Sequence, residues 1–457
     1  LLILTLPFLM TFFIIVFEAI FPVNKFRFIR PISVILPITV LAVEIVLIWQ
    51  PAANTEDKTF VFTQLSREFI TILFAITAVS LLFAYATGAL RSGRYSPVTL
   101  AVCGTILAAL YVNNVFLGTL AFVAAEFFSI VVVVDVGTED EERFVRSIKS
   151  AARYLIVTVL FGLLLFVAQV FLERLRLDPQ QFDLIKIIIA LAVVGFALRL
   201  GIFPFNLWVP QVVEDAPPLA SYLVIGLINS AAVIFLLDFF AKNPVLLADV
   251  GQARPIMALG MTGAVLAALF ALVQDGFGKM LAYASSASLG LILFGAVSPH
   301  QTGLRGATFE IANFALMQML IFGSLSVVSY CLGGRNFAGL TGLGRRMPVA
   351  ALGLMVGFFG MIGVPMTSGL VGKYLILQSA AQEGIIWVLG GIATLVLLTM
   401  TFLKYFHAVF MGRDVPGLKT LPEPPGGVAV ILALIIVIIG AGVYPAPLVD
   451  WLGIASK

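Results

Sequence analysis

Charge is what this sequence has least of. Only 11% of its 457 residues are Asp, Glu, Lys or Arg, too few to cover the surface of a soluble domain of that length. Cysteine is almost absent. Cys103 and Cys331 lie in separate apolar runs, with no CxxC spacing and no neighbouring His. That excludes an Fe–S, zinc or c-type haem motif, and both read as small buried hydrophobes. Histidine is limited to His300 and His407, so no cofactor or metal is expected in this chain and no redox chemistry of its own. The net charge of +3 gives no basic tract, and nucleic acid is not expected as a partner. The first run, "LLILTLPFLMTFFIIVF", has no basic n-region. It reads as a transmembrane helix whose start is missing, not a signal peptide.

What is present is apolar: 61% of the residues, with a mean hydropathy of +1.10. Runs of about twenty apolar residues, enough to span a bilayer, recur from end to end. They predict an all-α polytopic membrane protein of about fourteen helices, near 1–22, 32–50, 68–90, 95–112, 114–136, 147–172, 184–208, 217–241, 255–274, 278–298, 306–332, 347–380, 385–411 and 427–448. The twelfth run is too long for one straight span. Lys and Arg are more numerous in the loops after odd-numbered runs (Lys25, Arg27, Arg91, Arg146, Lys149 among them) than after even-numbered ones. The positive-inside rule then places both termini outside and the 137–153 loop inside.

Two runs are interrupted. "GFALRLGIFPF" (195–205) breaks at Pro204, and "GFFGMIGVPMTSGLVGKYLIL" (357–377) at Gly363, Pro365 and Gly369. Both begin Gly-Phe and reach a Gly and then a Pro, five runs apart. An odd spacing inverts the second copy, so residues 95–241 and 255–411 are expected to form an inverted five-helix repeat, preceded by helices in 1–94 and followed by one in 412–457. Paired broken helices of this kind point to an ion pathway, because freed backbone is tolerated in lipid only where it faces protein or water.

Ionisable residues inside apolar runs need a partner or a task. Glu126, Arg199 and Lys373 are the strongest candidates, with Lys404 and His407 later in the chain. Glu18, Glu44, Asp238 and Glu310 lie nearer predicted helix ends and read as reaching the interface. The stretch "ALVQDGFGKMLAYASSASLGLILFG" sets Lys279 before Ser285, Ser286 and Ser288, and Asn313 and Gln318 extend a polar strip into the next run. Such a strip serves helix packing and proton conduction alike.

These motifs resemble a known family. "PFNLWVPQVVEDAPPLAS", "LVQDGFGKMLAYASSASLG" and "GVPMTSGLVGKYLIL" are similar, in order, to signatures of the antiporter-like membrane subunits of respiratory complex I. The superfamily also includes Mrp antiporters and membrane-bound hydrogenases. The lysine after the second break resembles the N type. The resemblance covers roughly 100–410 and implies a proton-translocating membrane-arm subunit of a complex I-like NADH/quinone oxidoreductase. It would lie in an energy-coupling membrane, the bacterial inner membrane, among other membrane-arm subunits and lipid. The family's glutamate and post-break lysine fall on Glu126 and Lys373. The lysine that partners the glutamate falls on Arg199, and a further lysine on Asn229. The histidine of the serine motif falls on Ser288. A His and a Lys of the next motif fall on Phe314 and Gln318. The relay keeps its end charges while its middle is neutral or fixed. A guanidinium stays protonated where an amine can release its proton, so Glu126–Arg199 is expected to be a persistent, two-pronged pair. The alternatives are a non-conducting scaffold of such a complex, or an Mrp-type, hydrogenase-linked or inorganic-carbon-uptake relative.

Overall fold

The computed structural model describes residues 2–20, 29–50, 60–89, 94–135, 141–178, 182–247, 250–332, 341–412 and 421–452. Among them the chain is helical, apart from one isolated bridge between Phe60 and Val112. The helices that matter here are α1 (Leu2–Ile20), α2 (Ile29–Ile48), α3 (Gln64–Ala86), α4 (Tyr95–Tyr111), α5 (Val115–Val133), α6 (Glu141–Leu177), α7 (Phe182–Leu200) and α8 (Val209–Asp215). They continue with α9 (Pro218–Lys242), then α10 (Val250–Val273), α11 (Phe277–Ala296), α12 (Gln301–Cys331), α13 (Pro348–Ile362), α14 (Gly369–Glu383), α15 (Ile385–Tyr405) and α16 (Pro425–Val443). Ten helices among the described residues are long and apolar enough to cross a membrane, and three shorter ones are equally apolar.

Burial follows from which helices touch lipid. The membrane-length window of α9 is wholly buried and that of α12 94% buried, against 28% for α15 and α16. The two buried helices pack on each other. The outer helices keep exposed apolar faces, for example Ile386, Leu389, Val396 and Leu403 on α15, because lipid solvates Leu as well as protein does.

The interrupted runs are broken where the sequence places the breaks. α7 ends at Leu200 and α13 at Ile362. The next residues, Gly201 and Gly363, are left-handed, with φ of +64° and +85°, a conformation glycine adopts without steric cost. Both ends close by the same bond. The Ile202 amide donates to the Ala197 carbonyl and the Val364 amide to the Phe359 carbonyl, each at 3.0 Å. Helical geometry resumes only at Val209 and Gly369. The Pro204 and Pro365 segments therefore open each span near its middle.

Two expectations are corrected. The region 137–153 is not a loop from end to end, since α6 begins at Glu141 and is 37 residues long (residues 136–140 lie outside the described set). Glu141 and Glu142 in its first turn suit the positive end of the helix dipole, and Glu142 pairs with Arg146 one turn on, at 3.6 Å. Glu44 and Glu310 do not reach the interface either, being 0% and 2% exposed. Glu44 is enclosed where α2 packs on α1, α3 and α4. Glu310 lies about two and a half turns inside α12, which begins five residues earlier than expected. Asp238 does stand near a helix end and pairs with Lys242 at 2.6 Å.

Candidate functional site

Two buried ion pairs lie beside the two broken spans. In the first, Arg199 in the last turn of α7 meets Glu126 in the middle of α5, the Arg199 Nε facing Glu126 Oε1, both side chains fully buried. The guanidinium is not spent on the carboxylate alone. Its Nη1 donates to Asn229 Oδ1 of α9 at 2.6 Å, and its charge lies 5.6 Å from the Tyr154 ring centre and 5.5 Å from that of Trp208. Those rings stack on each other at 5.2 Å, and the Trp208 indole is held by the Leu198 carbonyl at 2.9 Å. The expected two-pronged fork to Glu126 is thus replaced by a shared arrangement, because α9 offers a neutral acceptor on the guanidinium's other edge. Cation–π contacts strengthen when desolvated, so Arg199 sits in a cage built for a permanent cation.

The second pair is Lys373 with Glu310, Nζ facing Oε1, with side chains 3% and 2% exposed. Lys373 is one turn into α14. Side chains lean toward the helix N-terminus, so its stem runs back to the break. There Nζ also donates to the Gly360 carbonyl at 3.3 Å, a group near the end of α13. Asn313 donates to Glu310 Oε1 at 3.3 Å and accepts from Ser368 Oγ at 2.6 Å. The Ser368 amide is in turn tied to the Ile438 carbonyl of α16 at 3.2 Å. An ammonium held by one carboxylate and one carbonyl lacks the planar, multi-contact hold of Arg199, and lysine gives up its proton far more readily.

The polar strip between the pairs is real but neutral. Gln318 donates to Ser285 Oγ at 2.8 Å. Ser285 and Ser288 each donate to a carbonyl one turn back, those of Leu281 and Ala284. Gln318 packs where α12 meets α9: a Cβ on Gly226, one turn before Asn229, would lie 3.1 Å from Gln318 Cβ. The buried atoms Arg199 Nη2, Asn229 Nδ2 and Gln318 Oε1, together with both amide atoms of Asn206 in the first break, have no hydrogen-bond partner among the described residues. Groups of this kind are what internal water serves.

The remaining sequence candidates lie elsewhere. Lys404 donates to the carbonyls of Leu272 and Gln274 at 3.0 and 2.7 Å, capping the end of α10. His407 is exposed in a π-helical turn. Lys279 is 3.7 Å from Glu214 of α8, away from the buried pairs. Sequence reasoning missed Glu310 as the partner of Lys373. Its signal was the apolar run around it, obscured by the late assignment of the helix start. Among the described residues no three His, Cys, Asp or Glu gather as a metal site.

Residues 119–399 match the family described as NADH:quinone oxidoreductase/Mrp antiporter, TM. The NADH-quinone oxidoreductase subunit N of Heliobacterium modesticaldum is 26% identical over 333 residues, 68% of each chain. That of Geotalea uraniireducens is 27% identical over 427 residues, 87% of each. The subunit N 1 of Symbiobacterium thermophilum is 30% identical over 285 residues, 59% of this chain and 57% of its own length. Solved structures share the fold across nearly the whole chain. The Mrp complex from Dietzia sp. DQ12-45-1b gives a TM-score of 0.82 at 17% identity, covering 99% of this chain and 96% of its own. The archaeal membrane-bound sulfane sulfur reductase gives 0.81 at 19%, with the same coverage. Respiratory complex I from Thermus thermophilus gives 0.77 at 19%, covering 98% of both chains. With its family match spanning more than half of its length, this chain belongs to the NADH:quinone oxidoreductase/Mrp antiporter transmembrane family.

Proposed function

We propose that this chain is an N-type, antiporter-like membrane-arm subunit of a complex I-like NADH/quinone oxidoreductase, and that it translocates protons through a relay in which one buried pair is switchable and the other fixed. The observation that carries the reading is the Lys373–Glu310 pair. It is an amine and a carboxylate, both buried, at the break of a spanning helix, where freed backbone groups can hold water. Separating the partners would let Lys373 shed its proton, because a lone ammonium at that depth costs several kcal/mol. Arg199 cannot do the same. It stays paired with Glu126 and acts as a fixed charge at the other end of the neutral Asn229, Gln318 and Ser285 strip. The relatives named as subunit N support the N-type assignment. The shared Gly201 and Gly363 closures support an inverted repeat of residues 95–241 and 255–411 within about fourteen spans, the broken helices counting as one span each. With both termini outside, the chain would sit in a bacterial inner membrane beside other membrane-arm subunits, and electrons would flow in those partners. The test is Lys373→Ala in the assembled complex. Proton translocation in sealed vesicles should fall while quinone reduction continues. Unchanged translocation would make the subunit a scaffold.

A further inference from the structure

A third group of polar residues lies at the end of the bundle where α12 begins and α14 ends, and the relay described so far does not use it. Glu383, the last residue of α14, has a side chain only 6% exposed, and His300, at the start of α12, holds it with Nε2 3.1 Å from Oε1. Arg254 of α10 approaches the other carboxylate oxygen at 4.0 Å. Beneath them Ser298 and Ser379 share a 2.6 Å hydroxyl–hydroxyl bond, and Ser379 is fully buried.

This cluster stands on the same two helices as the buried pair. Lys373 and Glu383 are ten residues apart on α14, and Glu310 is ten residues from His300 on α12, so both helices place the rim pair roughly 15 Å from the buried pair. Ser379 lies between them, roughly 9 Å from Lys373 along the axis. The interval is closed by backbone contact. A Cβ on Gly306 of α12 would meet the Ile376 amide nitrogen at 2.8 Å and the Gly372 carbonyl at 2.9 Å. A Cβ on Gly372 would lie 2.6 Å from Glu310 Oε2. Glycine at both positions lets α12 and α14 meet without side chains between them, and it leaves a seam that a small separation would open.

The chemistry of the rim is that of a proton port. Imidazole beside a carboxylate changes charge near neutral pH, and a hydroxyl both donates and accepts. Arg254 and Glu383 alone would make a static ion pair. The histidine adds a group that can load and release a proton at the water boundary. We propose that His300 and Glu383 form the aqueous port of the Lys373–Glu310 pair, with the Ser298–Ser379 hydroxyls below them and the Gly306–Gly372 seam as the gate. This rests on the proton-translocating reading above. With the seam parted, water admitted to it carries one proton from Lys373 Nζ across the roughly 9 Å to Ser379, and each hydroxyl accepts one proton while passing on its own. The Glu383–His300 pair takes it up, and the imidazolium releases it to water. Lys373 is left as a neutral amine. The charged groups facing His300 are Glu383 from α14 and, through that carboxylate, Arg254 from α10. Ser298, whose hydroxyl accepts from the His300 backbone amide at 3.3 Å, does not titrate in this range, and Arg305 on its own helix turns to Gln301 at 3.5 Å.

The experiment compares wild type, His300→Gln, Glu383→Gln and Lys373→Ala in the intact complex, reconstituted in sealed vesicles. The rate of proton translocation and the protons translocated per quinone reduced are measured between about pH 5.5 and 8, around the histidine range. The port predicts that His300→Gln removes the pH inflection of the wild type, and that Glu383→Gln slows translocation by roughly tenfold or more, as loss of a positioned proton-transfer group does. A latch that merely ties α12 to α14 would lower the melting temperature of both variants and leave the pH profile in place. If Lys373→Ala impairs translocation while both rim variants keep the wild-type profile and stoichiometry, the port is refuted and the relay stands. If Lys373→Ala also changes nothing, the relay is refuted and the port falls with it. Should Glu383→Gln fail to assemble, the pH profile of His300→Gln decides alone.

Discussion

Take the Glu126–Arg199 pair through a double-mutant cycle of Glu126→Gln, Arg199→Leu and the double variant. Both side chains are 0% exposed, so each single change strands the other group away from bulk solvent. Breaking a buried pair by removing one partner costs about 3–5 kcal/mol. Arg199→Leu should lie at the upper end or beyond, because it also removes the Asn229 hydrogen bond, worth about 1.5–3 kcal/mol for a charged donor, and the contacts with Tyr154 and Trp208, worth about 2 kcal/mol when desolvated. Glu126→Gln leaves those contacts in place and should lie at the lower end. The double variant buries no stranded charge, so its cost should fall short of the sum by roughly 3 kcal/mol, the coupling expected of residues in direct contact. Unfolding can be followed by tryptophan fluorescence in lipid nanodiscs, since Trp208 stacks against the caged cation. Additivity within about 0.5 kcal/mol would show that the two charges do not depend on each other, and the fixed-charge reading of Arg199 would fail.

The other predictions are narrower. Asn229→Leu should cost about 1.5–3 kcal/mol in the same unfolding assay, through loss of one charge-assisted bond, and should lower proton translocation in vesicles, because it also removes an amide from the polar strip between the two pairs. Gly201→Ala and Gly363→Ala should each reduce the amount of assembled complex recovered from membranes. At Gly201 the left-handed backbone strains any side chain and a Cβ would meet Val209 Cγ2 at 2.3 Å. At Gly363 a Cβ would meet Lys373 Cδ at 2.8 Å, so this variant should also disturb translocation in whatever complex survives.

Much of this architecture was legible in the sequence because lipid makes the alphabet simple. A charge inside an apolar run must be explained, and Glu126, Arg199 and Lys373 stood out for that reason alone. The breaks were legible from Gly and Pro, whose backbone limits act locally. What required three dimensions was partnership. Glu310 reads as interfacial when the run around it is begun at 306. Helix α12 begins at Gln301, and five more residues of helix carry Glu310 from the first turn to the interior. Asn229 was legible only as a missing lysine. That it shares the guanidinium with Glu126 depends on how α9 meets α7, and no local pattern encodes that. For Lys404, three dimensions add that a cation in an apolar helix donates to the carbonyls at the end of its neighbour.

The central claim is that one buried cation must be able to lose its proton and the other must not. Lys373→Arg in the assembled complex tests it most directly. The substitution keeps a positive charge against Glu310 and removes only the capacity to deprotonate. Protons translocated per quinone reduced, measured in sealed vesicles, should fall toward the level of Lys373→Ala even though the complex assembles. Wild-type stoichiometry in Lys373→Arg would contradict the account, since the pair would then work as a fixed charge like Glu126–Arg199.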